Sequence, residues 1–155
     1  MEKEIQNLVS LLKQTYEKGA WHGPSVKQGL ENISDEQAFS RLPDTHSIIE
    51  LVAHMAAWRI YVVEKLKGNA AYKVTDELNF PQLTDWKQAV QQLDESQAQL
   101  IAAIEKFPEE KLREKVAGFI DAYSYYTLLH SIIHHDLYHT GQIILIKKAT
   151  RTQSI

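Results

Sequence analysis

Residues 123–148 read YSYYTLLHSIIHHDLYHTGQIILIKK, and this stretch decides the fold. It holds a single glycine, no proline, and apolar residues at three- and four-residue spacing, which together predict one long amphipathic helix. It also carries His130, His134, His135 and His139, out of seven histidines in the whole chain. These form two pairs, 130/134 and 135/139, and residues four apart lie one turn apart on the same helix face. Either pair has the spacing that lets two imidazoles reach one metal ion.

Helical phase separates the pairs. At about 100° per residue with His130 at zero, Leu128 and Ile146 fall at about 160°, Ile132 at about 200°, and Tyr125 and Ile143 at about 220°. That sector is the expected core face. His135 and His139, at about 140° and about 180°, fall with it, whereas His130 and His134 share a sector with Gly141 and Lys148. A buried imidazole left without a partner costs about 1–3 kcal/mol, so the 135/139 pair needs one. Two solutions are open: a shared metal ion, or a tyrosine, carboxylate or water for each ring. The order His135-Asp136-Leu137-Tyr138-His139 matches the spacing of the zincin pattern. Asp136 stands where that pattern has its glutamate base, and the shorter reach argues against a metalloprotease.

Three more long helices are expected. Ile5, Leu8, Leu12 and Tyr16 predict a helix over roughly residues 2–18, ending before Gly19. Trp21 to Pro43 is broken by Gly23-Pro24 and Gly29; it has room for one or two short helices, the second opened by Ser34-Asp35-Glu36-Gln37. Pro43-Asp44-Thr45 opens a second long helix, from about 46 to 67, which stops at Gly68-Asn69. Ala70 to Pro81 has no clear periodicity. Thr84-Asp85 opens a third helix with the stripe Trp86, Val90, Leu93, Leu100 and Ile104, and Pro108 marks its end. Residues 109–121 form another connector before the last helix, from about Tyr123 to Lys148. The expected fold is all-α, a four-helix bundle in one domain over residues 1–155. Its connections are too long for minimal hairpins, so they should cap an end of the bundle or line a site.

Composition narrows the chemistry. The chain has 155 residues, 17 basic and 20 acidic side chains, a formal charge of −3 and no cysteine. That balance offers no electrostatic footprint for nucleic acid. Without cysteine there is no disulfide scaffold, thiolate zinc site, iron–sulfur cluster or protein-borne thiol nucleophile. The start Met1-Glu2-Lys3-Glu4-Ile5 lacks a secretory layout, and no apolar run approaches the ~18 residues of a membrane span, so a cytoplasmic protein is expected.

Histidine therefore leads. His54 lies on the flank of the second helix's stripe, with Ile48, Leu51, Met55, Trp58 and Val62, where it either leans towards a neighbouring helix or sits half solvated. His46 reads as part of the helix start, and His22 belongs to a Trp21-His22-Gly23-Pro24 turn. Trp58 and Trp86 read as core.

The stretch His46-Ser-Ile-Ile-Glu50-Leu-Val-Ala-His54-Met-Ala-Ala-Trp58-Arg59, followed by His134-His135-Asp136-Leu-Tyr-His139-Thr-Gly141-Gln142-Ile143, resembles the DinB/YfiT-like family. The Ala20-Trp21-His22-Gly23-Pro24 turn fits the same pattern, and the likeness runs through essentially the whole chain. The resemblance implies a four-helix bundle, often a homodimer, with a divalent ion (zinc or nickel) held by one histidine of the second helix and an H-x3-H pair of the last. Carried onto this chain, those ligands are His54, His135 and His139. Gln142, one turn past His139, either contacts a ligand or is satisfied by backbone. Glu50 either orients His54 or completes a capping box with Ser47.

Relatives in that family include transferases and isomerases that use low-molecular-weight thiols such as bacillithiol or mycothiol. The resemblance thus implies a metal-dependent transfer of an exogenous thiol to a small electrophilic substrate, with Gln142 and His22 as candidate contacts. One alternative is hydrolysis by a metal-activated water with Asp136 or Glu50 as base. Another is a non-catalytic, metal-stabilised stress-response binding protein. No nucleic-acid or membrane partner is expected.

Overall fold

A computed structural model describes residues 3–118 and 123–151. Every helix in it starts or stops on a recognisable local signal. Helix α1 (Lys3–Tyr16) begins beneath the Glu109 carboxylate, which accepts from the amides of Glu4 and Ile5 at 3.0 and 3.1 Å. An anion there meets the positive end of the helix. Ser25 and Gln28 close a reciprocal capping box at the short helix α2 (Val26–Leu30). Ser34 caps α3 (Asp35–Ala38). Helix α4 (Ile48–Leu66) starts where the amide and hydroxyl of Ser47 both donate to Glu50, each at 2.7 Å. Thr75 caps the single turn α5 (Asp76–Asn79), Asp85 caps α6 (Trp86–Glu105), and Ser124 caps α7 (Tyr125–Ala149). A 3-10 turn spans Glu109–Arg113.

The expected all-α bundle is what forms, and among the described residues there is no strand, only an isolated bridge between Lys115 and Ser124. The four long helices end within three residues of their expected limits, apart from the expected start at residue 2, which lies outside the described residues. The connector expected over 109–121 starts with the 3-10 turn, and its last three residues also lie outside.

The connection lengths follow from the packing order. Helix α4 packs mainly against α6 and α7, and α1 packs against the same two. Thus α1 and α4 are diagonal, as are α6 and α7. The chain must cross the bundle on leaving α1 and again on leaving α6, which short hairpins cannot do.

The core has two apolar clusters. One gathers Leu8, Leu12, Val62, Leu100, Ile104 and Leu129; the other gathers Ile48, Met55, Trp86, Leu93, Ile143 and Ile146. Between them, along every long helix, the sequence turns polar. Arg59 and Asp136, both with fully buried side chains, pair at 2.8 Å, and the Arg59 Nε donates to Gln97 at 3.3 Å. The guanidinium lies 5.0 Å from the Tyr16 ring, whose hydroxyl donates to Asp94 at 2.5 Å. Sliding α4 past α7 by one turn, about 5.4 Å, would leave both charges buried and unpaired. The pair therefore sets the register of the two helices.

One loop is clamped. Lys65 Nζ donates to the carbonyl oxygens of Asn69 and Ala70, and Gly118 rests on the same Ala70 carbonyl. Gly118 has φ +75°, and a Cβ there would meet the Ala70 oxygen at 2.2 Å. Gly118→Ala should therefore destabilise the protein by at least about 2 kcal/mol, a fall in Tm of roughly 4–8 °C. A thermal melt within one degree of wild type would show that the clamp is dispensable.

Candidate metal centre

Two helices bring the three histidines together. His54 projects from the middle of α4; His135 and His139 project from successive turns of α7. His54 Nε2 is 3.0 Å from His135 Nε2, which is 3.2 Å from His139 Nε2. The ligand nitrogens of all three lie within 4.8 Å of one another. His54 and His139 are buried and His135 is half-buried. The buried stripe of α7 is wider than phase alone implied, reaching round to Leu129 and Ile133, so His135 sits at its edge.

Hydrogen bonding at the far nitrogens decides what the near ones can do. His54 Nδ1 lies 2.7 Å from the main-chain oxygen of Asn79. A carbonyl only accepts, so Nδ1 carries the proton and Nε2 presents a bare lone pair. His139 Nδ1 likewise faces Gln142 Oε1 at 2.6 Å, which leaves its Nε2 bare. Two lone pairs thus converge on His135 Nε2, and one proton there could satisfy only one of them. A cation satisfies all three. Imidazole nitrogens bound at about 2.1 Å with angles between about 90° and 110° lie roughly 3.0–3.4 Å apart, which agrees with the 3.0 and 3.2 Å separations seen here. These residues fit a divalent ion, with three neutral ligands and room for more.

Electrostatics keeps the rings neutral. Burial pushes His135 down to about 3, and the neighbouring His139, His54 and Arg59 push the same way. Burial pushes His139 down to about 4 against the opposing hydrogen bond that it donates to Gln142. His54 is also lowered, chiefly by burial, although its bond to Asn79 works against this. Protons therefore compete weakly for the site at neutral pH.

The same shifts predict how the metal-free protein responds to acid. An unfolded histidine takes up its proton near the ordinary value of 6.5, while folded His135 and His139 resist until about 3 and about 4. Below pH 6.5 the unfolded state binds more protons, so stability falls as pH falls, by at most about 1.4 kcal/mol per ring per pH unit. Urea midpoints of the metal-free protein should drop steeply between pH 6.5 and 4.5, and much less so in a His135→Ala/His139→Ala double variant. Parallel profiles for the two proteins would contradict the assignment.

The site opens into a cavity of about 620 Å³ between α4 and α7, bordered by Asn79. Trp58 and Tyr61 form one side with Leu128, Ile132 and Tyr138 opposite. Trp58 is therefore a half-buried wall of the cavity, whereas Trp86 is core as expected. The Trp58 indole N–H donates to Asn79 Oδ1 at 2.9 Å. Phe80 stacks on His54 with centroids 4.3 Å apart, and His46 stacks on Phe80 at 3.7 Å. The connector over 70–81 thus packs against the site, as its length suggested.

The remaining candidates lie elsewhere. Gln142 holds His139 and does not border the cavity. Glu50 is engaged by Ser47 and by Arg41 at 3.2 Å, and the ring it was a candidate to orient is held by Asn79. Asp136 is paired with Arg59. His22 and His134 are exposed, while His130 is half-buried against Tyr126, with centroids 4.4 Å apart. The sequence reading passed over Asn79, Phe80 and Tyr61. Only Tyr61 had a usable signal, since Trp58 and Tyr61 follow His54 at i+4 and i+7, on one helix face.

Neither a curated protein nor a solved structure matches the chain. The family model of the DinB superfamily matches residues 25–143, from the start of α2 through both histidine-bearing helices. That is well over half of the chain, and the chain therefore belongs to the DinB superfamily.

Proposed function

We propose that the protein is a metal-dependent enzyme in which His54, His135 and His139 hold a zinc or nickel ion and a low-molecular-weight thiol is transferred to an electrophilic small molecule. The observation that supports this best is the convergence of three Nε2 atoms, two of them stripped of protons by Asn79 and Gln142, beside an open cavity. A divalent ion at such a position lowers the pKa of a coordinated thiol into the neutral range.

The chain's own residues supply position. Asn79 and Gln142 fix two rings and their tautomers, the aromatic walls give the substrate an apolar surface, and the absence of cysteine requires the sulfur to come with the substrate. In the transfer, the thiol proton leaves to solvent and sulfur forms a bond to carbon. The bond from that carbon to the leaving group breaks, its electron pair departing with the leaving group.

Hydrolysis has less support. Its candidate bases, Asp136 and Glu50, are both held in other contacts, and no carboxylate borders the cavity among the described residues. The test is turnover of 1-chloro-2,4-dinitrobenzene by the metal-loaded protein with a panel of thiols. Thiol-dependent turnover that disappears in His139→Ala supports the transferase. Release of dinitrophenol without thiol would favour the hydrolase, and no turnover at full metal occupancy would favour a binding protein.

A further inference from the structure

We propose that the cavity beside the three histidines selects an uncharged aromatic ligand; this rests on the reading of that cavity as the substrate site. Its walls are rich in rings and branched aliphatic side chains: Trp58, Tyr61 and Val62 on α4, with Leu128, Ile132 and Tyr138 on α7. None of the described lining residues is a lysine, arginine, aspartate or glutamate. The nearest charges in the helix interior, Arg59 and Asp136, are spent on each other and fully buried. A ligand carboxylate held away from the metal position would lose water without meeting a counter-ion on the wall, while a flat apolar ring would meet the aromatic side chains of α4.

Ser131 is the small polar side chain on the α7 wall. It precedes His135 by one turn, is half-buried, and makes no hydrogen bond among the described residues, so its hydroxyl is available to the cavity. Ser131 is accordingly the position at which charge selectivity can be rewritten.

Three hydroxamates that share a metal-binding group test this on the zinc-loaded protein by calorimetry: acetohydroxamate, benzohydroxamate and 4-carboxybenzohydroxamate. Benzohydroxamate should bind at least tenfold more tightly than acetohydroxamate, and the ring carboxylate should erase that gain. Ser131→Lys should raise the affinity for the carboxylated probe relative to benzohydroxamate at least tenfold. The metal-free protein provides an independent arm, in which p-cresol should shift the Trp58 indole N–H resonance at concentrations where 4-hydroxybenzoate does not. Equal affinities for charged and uncharged probes overturn the proposal, whatever the Ser131 variant does. If zinc fails to bind while the metal-free ranking persists, the metal-dependent function falls and the ligand selectivity stands.

Discussion

His139→Ala is expected to strip the protein of divalent metal, lowering affinity on the order of a thousandfold or more. That exceeds the 10–100-fold typical of losing an outer hydrogen-bond partner. The reason is geometric. Three neutral imidazoles give a site without ligand charge, so each nitrogen carries a large share of the binding. His139 Nε2 lies 3.2 Å from His135 Nε2, and among the described residues no fourth histidine, aspartate or glutamate joins the cluster to replace it. Gln142→Leu should fall in the 10–100-fold range, because it frees the His139 ring without removing it. His130→Ala should keep full metal content, since His130 packs on Tyr126 outside the cluster. Elemental analysis after dialysis against zinc and nickel distinguishes the three variants. Equal loss in the 130 and 139 variants would overturn the site. So would a wild-type protein that takes up less than about a tenth of an equivalent and gains no thermal stability from added metal.

The second large effect is expected at the buried ion pair. Arg59→Met or Asp136→Asn, made singly, should each cost about 3–5 kcal/mol, because the surviving partner is left buried and uncompensated. For a chain of this size that is a fall in Tm of roughly 6–20 °C. Burial also pushes the Asp136 carboxyl up, to about 6, against the pull of Arg59, so the fold spends desolvation energy to keep the pair. The Arg59→Met/Asp136→Leu double variant should recover most of the loss, since apolar residues of similar volume replace such pairs at little cost. Metal affinity gives a separate readout. Asp136 lies next to His135 and Arg59 five residues beyond His54, so a double variant that is stable but binds metal poorly would show that the pair holds α4 and α7 in register for the site. Single variants that cost under about 1 kcal/mol by urea denaturation would remove the pair from that role.

Much of the bundle is legible in the order of residues. Helix starts at Ser34 and Asp85 follow from side chains reaching amides three residues on, the start at Ser47 follows from the Glu50 carboxylate reaching back to it, and the ends at Gly68 and before Pro108 follow from backbone preference. The core stripes of α1 and α6 are repeated spacings of Leu and Ile. All of these are contacts within one or two turns, so the order of residues contains them. The same holds for the i, i+4 relation of His135 and His139.

The sequence by itself thus determined the helices, their faces and the existence of a histidine pair that a metal could bridge. The tertiary structure decided the rest. His54 and His135 are 81 positions apart, and whether they meet depends on the axial register of α4 against α7, which the buried Arg59–Asp136 pair sets. The tautomer of His54 depends on the main-chain oxygen of Asn79, an atom every residue possesses and no residue type announces. Periodicity speaks for forces that act along a helix; the approach of three imidazole nitrogens is a product of packing between helices, where the deciding partners are distant in the chain.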